Sequence, residues 1–227
     1  MDKQTHVAIV FPHPDDESFG TAGSIMEWRK NDIPVTYLCG NLGQMGRNMG
    51  TPAFANREML PKIRKQELAD ACEFLDIDFK LLGYRDKTME FEDLDKMAEH
   101  IKGVLESLNP LPSLVITHYP GHGVHPDHNA LGKATIKAVQ LMDESIRPTL
   151  WVAAITHNHE DILGKPDIVN DVSDVFDKKL EAILKHKTQA EGLLKKFDEQ
   201  TDFGEMDEMM ANFKERLGTE KFYIWQK

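Results

Sequence analysis

The sequence predicts an α/β fold, a Rossmann-like and largely parallel sheet flanked by helices, and three observations carry that prediction. Short β-rich apolar runs alternate with amphipathic stretches of helical period. Proline-bearing stops, Asn31-Asp32-Ile33-Pro34 and Asn109-Pro110-Leu111-Pro112, punctuate the helical stretches. The segments densest in ionisable groups follow the first and fourth apolar runs, and open α/β sheets gather ligands at the carboxyl ends of their strands.

Residues 6–11 (HVAIVF) form a nearly continuous apolar run, as a strand covered on both faces requires. A helix over 18–30 follows, then a strand at 35–39, a helix at 60–75, a strand at 79–82 and a helix at 92–108. The fourth strand spans 114–117, a helix 127–142 and the fifth strand 150–155. After Thr156 the pattern loosens into an acidic stretch at 170–177, a helix through about Gln200, and a Met-rich acidic segment at 205–210 that reads as a surface helix or flap. The expected organisation is one domain over 1–227 with a looser C-terminal helical segment from about 190.

The 227 residues are 41% hydrophobic, enough to fill a core, and carry a formal net charge of -11. That charge repels phosphate backbones and anionic bilayers, so neither nucleic acid nor membrane is an expected partner. No run approaches the roughly 20 apolar residues of a membrane helix, and MDKQTHVAIV lacks the features of a signal peptide, which points to the cytoplasm. Cys39 and Cys72 are far apart and form no C-x-x-C pair, so both read as core residues.

His13-Pro14-Asp15-Asp16-Glu17 places an imidazole and three carboxylates in five positions directly after the first strand. A polar turn with an Asp cap on the next helix would account for part of this. The fourth strand, however, runs into His118-Tyr119-Pro120-Gly121-His122-Gly123-Val124-His125-Pro126-Asp127-His128, four histidines and an aspartate in eleven residues. Packing does not call for such density. Imidazole and carboxylate together suit zinc and its divalent neighbours, and a zinc hydrolase needs about three protein ligands, an open position for water and a carboxylate that orients a ligating imidazole. His13, Asp16 and one histidine of the second loop supply the three; spacing leaves His125 and His128 equivalent.

HPDDE after a first strand together with HPDH after a later one resembles the zinc-dependent N-acetylglucosaminyl deacetylases of the PIG-L, or LmbE-like, family, over about Val7 to Gln189. The resemblance implies metal ligation by His13, Asp16 and His128, one zinc per chain or another divalent metal in its place. It implies Asp15 as general base and His125 as the group facing the oxyanion or leaving amine, with Asp127 behind an imidazole. Arg64, in an R-x-x-E helix, and Asp86, in Leu82-Gly83-Tyr84-Arg85-Asp86, match its substrate-binding elements. Read without the resemblance, Arg64 is a solvated residue paired with Glu67 at i, i+3, and Asp86 a turn carboxylate.

The loop Gly40-Asn41-Leu42-Gly43-Gln44-Met45-Gly46-Arg47-Asn48-Met49-Gly50 is a ligand cradle or a flexible connection, with glutamine where the family commonly has glutamate. Its form most resembles the bacillithiol-biosynthesis branch, which implies N-acetylglucosaminyl malate as substrate. A malate dianion gives a reason for Arg47, Arg57, Arg64 and Arg85 near strand ends of an acidic chain. The alternatives are an amidase for thiol conjugates or another N-acetyl sugar, a two-metal phosphoesterase, and a nucleotide-binding module. The last is disfavoured because no G-x-G-x-x-G follows the first strand. The expected partner is a small sugar conjugate, and the resemblance is compatible with a homo-oligomer. His186, in Lys185-His186-Lys187-Thr188-Gln189, resembles a family H-x-S-Q element and is a candidate behind the ligands; Glu17 has no assigned role.

Overall fold

The computed structural model describes residues 4–50, 52–194 and 211–226. Its strands are β1 (Val7–Phe11), β2 (Val35–Cys39), β3 (Asp78–Leu81), β4 (Leu114–His118), β5 (Thr149–Ala153), β6 (Ile168–Asp171) and β7 (Thr219–Ile224). The helices are α1 (Asp16–Lys30), α2 (Leu60–Leu75), α3 (Leu94–Glu106), α4 (Pro126–Leu141), α5 (His159–Leu163), α6 (Phe176–Lys185) and α7 (Lys187–Leu194). The strand order is β3-β2-β1-β4-β5-β7-β6. The first five strands of that order pair in parallel, and β7 runs antiparallel to both β5 and β6.

Every residue of β1 is buried because helices cover both faces of the sheet. Ala8 and Val10 enter one core layer with Met97, Ile101, Leu131 and Ala134, from α3 and α4. Val7, Ile9 and Phe11 enter the other with Ala22, Ile25, Leu68 and Ala182, from α1, α2 and α6. The chain winds outward from β1 to β3 in one direction and from β4 to β5 in the other. A crevice therefore opens at the carboxyl ends of β1 and β4, where strand order reverses.

The sequence reading needs correction toward the C-terminus. Thr219–Ile224 is a strand inserted between β5 and β6, not part of a loose helical segment. Phe222 and Tyr223 are ordinary strand formers, but Glu220 occupies a buried position on the same strand and masks the apolar alternation. The expected helix after residue 177 breaks at His186 into α6 and α7. The Met-rich segment 205–210 lies outside the described residues. No helix among the described residues is long and apolar enough to cross a membrane.

Candidate metal centre

Both histidine-bearing segments leave neighbouring parallel strands, so register alone brings them together: Val10 of β1 lies opposite Thr117 of β4. His13 Nδ1 and His128 Nε2 are 3.2 Å apart. Asp16 closes the set, with Oδ2 3.5 Å from His13 Nδ1 and Oδ1 3.4 Å from His128 Nε2. His128 Nδ1 lies 2.6 Å from the Gly123 carbonyl, to which it donates, and that bond leaves the Nε2 lone pair facing the other two groups. Gly123 is required there, since a β-carbon would sit 2.6 Å from His128 Cβ.

His13 Nε2 points the other way, 3.4 Å from Asp127 Oδ2 and 3.5 Å from Asp86 Oδ1. Asp127 is fully buried in the first turn of α4, where its Oδ2 also accepts from Lys87 N at 2.8 Å and Asn41 Nδ2 at 3.2 Å. Its Oδ1 has no partner. Ligand atoms of His13, Asp16 and His128 lie within 4.8 Å of one another, as do those of His13, Asp86 and His125. The two sets share His13, and a neutral imidazole has one lone pair. The Nδ1-directed set is the consistent one, because it leaves Nε2–H to donate to the two carboxylates behind it.

Electrostatics point the same way. Burial pulls His13 down, but Asp127, Asp16 and Asp86 outweigh it and hold the imidazole well above its usual range. Burial works to raise Asp16, and His128 and His13 more than reverse it. Asp86 is held at about 2, its burial overcome by His13 and the Met45 N–H. A cluster so rich in carboxylate, with an orphaned Asp127 oxygen, is a place for a cation, and the imidazole–carboxylate donor set fits a divalent one.

Asp15 stands beside this set without joining it. The Asp-cap reading of the turn fails: α1 starts at Asp16 and the Asp15 side chain makes no cap bond. Instead Asp15 Oδ2 accepts from Arg64 Nη2 at 3.0 Å, with its backbone at φ 107°, a conformation that costs an L-residue about 1–3 kcal/mol. Burial pushes the Asp15 carboxyl up to about 6 against the pull of Arg64. His125 is the N-cap of α4 and accepts the Asp127 N–H through Nδ1 at 3.1 Å, so its proton sits on Nε2. Burial and His13 hold it below the usual imidazole range, as a neutral donor.

Arg64 is buried, not solvated, and does not pair with Glu67: its Nη2 donates to the Pro14 carbonyl at 2.5 Å as well as to Asp15. The glycine-rich loop cradles this guanidinium. At Gly43, with φ +60°, a β-carbon would overlap it. Gln44 Oε1 accepts the Asp86 N–H at 3.1 Å and Met45 N donates to Asp86 Oδ2 at 2.8 Å, so the loop also fixes Asp86. Arg47, Arg57 and Arg85 are exposed. His13, Asp15, Arg64, Asp86 and His125 line one cleft of about 150 Å³ together with Gly46, Lys87 and Gln189. A larger cavity of about 410 Å³ beside α4 contains none of the predicted site residues.

Sequence reasoning missed Asn41 and Lys87, which hold Asp127, and Tyr37, whose hydroxyl donates to the His13 carbonyl at 2.5 Å. Asn41 follows the carboxyl end of β2, so the strand-end rule was the available signal.

The fold and the site together define a doubly wound α/β protein whose strand ends carry a His-Asp-His set suited to a divalent cation. The chain belongs to the PIG-L family, whose model, described as GlcNAc-PI de-N-acetylase, matches residues 8–139. It is 53% identical over 192 residues to a Bacillus cereus protein named probable N-acetyl-alpha-D-glucosaminyl L-malate deacetylase 2, covering 84% of this chain and 86% of that one. A Bacillus subtilis protein of the same name is 52% identical over 195 residues, covering 86% and 87%. Among solved structures, an N,N'-diacetylchitobiose deacetylase from Pyrococcus horikoshii aligns with a TM-score of 0.75 at 20% identity, over 98% of this chain and 84% of that one, a likeness of fold. The family read from the two motifs and the branch read from the glycine-rich loop both hold, and the chain is a hydrolase of the N-deacetylase type.

Proposed function

We propose that the chain is a zinc-dependent deacetylase of N-acetylglucosaminyl malate, with His13, Asp16 and His128 as the ligands of one ion. The observation that carries the proposal is the convergence of His13 Nδ1, His128 Nε2 and Asp16, with Asp15 adjacent but turned to Arg64. His13, Asp16 and His128 would hold a divalent cation, which would supply Lewis acidity toward an amide carbonyl and a water molecule. Asp15, held by Arg64, takes the proton from the attacking water. His125 offers Nε2–H as a hydrogen bond to the oxygen on which negative charge develops, and the proton that Asp15 takes from water passes to the departing amine. Asp127 and Asp86 keep the His13 ring in the orientation that ligation needs. Arg64, from α2, and Asp86, from the loop after β3, line the cleft and supply substrate contacts beside the reacting amide.

The malate assignment draws on the two Bacillus relatives and on the cations Arg64 and Lys87, which line the cleft of an acidic chain. The test is to incubate zinc-loaded protein with N-acetylglucosamine, its malate conjugate and a thiol conjugate of the same scaffold, measuring released amine and acetate. The malate conjugate should turn over fastest. Equal slow rates on all three would remove the malate specificity and leave the deacetylase.

A further inference from the structure

Glu17 is fully buried in the first turn of α1, and both of its oxygens are engaged. Oε2 accepts the Asp15 backbone N–H at 3.0 Å. Oε1 accepts from Ser18 Oγ at 2.7 Å and faces His186 Nε2 at 2.6 Å. His186, equally buried, occupies the break between α6 and α7. Its carbonyl accepts from Gln189 N at 2.8 Å and Ala190 N at 2.7 Å, and the neighbouring Thr188 donates its N–H and hydroxyl to Glu67 at 2.7 and 2.6 Å. Helix α2 therefore grips both ends of the arrangement, Asp15 through Arg64 and the His186 turn through Glu67.

Two adjacent aspartates must diverge here, Asp16 toward the ligand set and Asp15 toward Arg64. Left to itself, an Asp preceding a helix turns its side chain back onto the helix N–H groups. Asp15 does not, because its peptide is rotated to φ 107° and its N–H is turned onto Glu17. We propose that Glu17 and His186 are a positioning pair for Asp15: Glu17 holds the Asp15 peptide in the left-handed conformation that keeps its carboxylate in the cleft, and His186 fixes Glu17 from the far end of the chain. A buried Glu–His pair that served stability alone would be replaceable by apolar side chains. This one is directed at the single peptide that carries the base. The inference rests on reading Asp15 as the base.

The test is steady-state kinetics of zinc-loaded variants on whichever of the three conjugates turns over fastest, with metal content measured for each. Glu17→Ala should lower kcat about 10²-fold, with KM and metal stoichiometry unchanged, whereas Glu17→Gln, which retains an acceptor for the Asp15 N–H, should keep kcat within about tenfold of the parent. Glu17→Ala in an Asp15→Asn background should cost nothing more, since Glu17 acts through Asp15. Multiplying losses, loss of metal in step with kcat, or an unchanged Glu17→Ala would overturn the pair. Should Glu17→Ala not fold, His186→Ala and His186→Gln carry the same test: the first should lower kcat alone, and the second, keeping a donor, should restore most of it. A parallel rise in KM or loss of metal in His186→Ala counts against the proposal. An Asp15→Asn protein with parental kcat would instead refute the assignment of the base, a separate failure from that of the pair.

Discussion

The buried charged cluster around Glu220 and the one at the ends of β1 and β4 are built differently. Around Glu220 of β7 every lone pair is spoken for. Oε1 accepts from Gly23 N at 2.9 Å and Lys179 Nζ at 2.7 Å, and Oε2 accepts from Ser24 N at 2.8 Å and Ser24 Oγ at 2.5 Å. One carboxylate meets one ammonium, and β7, α1 and α6 are clamped together. At the ends of β1 and β4 the carboxylates of Asp15, Asp16, Asp86 and Asp127 crowd three imidazoles and one guanidinium, and an Asp127 oxygen is left over. The first cluster is closed by its own hydrogen bonds; members of the second line a cleft. Burial of charge alone is thus no mark of a functional site. Burial of charge that the protein itself does not balance is one, because it requires a ligand.

The comparison breaks most visibly if metal is withdrawn. Chelation, or His128→Ala, should abolish turnover and leave the Glu220 cluster and the folded state in place, with zinc restoring activity to the chelated protein but not to the variant; atomic absorption and acetate release check both. Asp15→Asn comes next. It should retain its metal and lose about 10² to 10⁴ in kcat, the usual weight of a positioned general base.

A change in the closed cluster should do the reverse. Lys179→Met leaves a buried carboxylate without its ammonium and should cost about 3–5 kcal/mol in urea unfolding, with kcat per folded molecule unchanged. A fall in kcat without loss of stability would place Lys179 in the catalytic machinery. The smallest effect concerns acidity. In the metal-free protein Asp127, Asp16 and Asp86 hold the His13 proton well above the usual imidazole range, so a cation must displace it. Zinc affinity should therefore fall as pH falls, about tenfold per unit for each proton displaced, in competition titrations against a chelator. An affinity flat across the neutral range would mean that His13 is not a ligand.

Much of the site was legible because its chemistry is written in contiguous residues. HPDDE and HPDH each carry their candidate ligands within a few positions of a strand end, and parallel pairing of β1 with β4 does the rest. Arg64 was legible only as a motif match. Helical spacing offers Glu67 as its partner, and nothing local shows that Arg64, covered by the glycine-rich loop, goes to Asp15 while Glu67 goes to Thr188. The Glu220 strand was hidden for a related reason. A buried glutamate breaks the alternation by which a strand is recognised, and its compensation comes from Lys179 and Ser24, distant in the chain.

The sequence by itself determined the α/β class, the two turns rich in histidine and carboxylate, and the family, since each depends on short-range pattern: apolar period, proline stops, and histidines and carboxylates a few residues apart. Only the tertiary structure decided which nitrogen of His13 faces Asp16 and His128, that Asp15 bends away from the helix it precedes, and that Glu17 reaches His186 across the chain. Those outcomes depend on which polar groups are buried against one another. Sequence spacing does not encode that, because the partners are set by how helices and loops pack over the sheet.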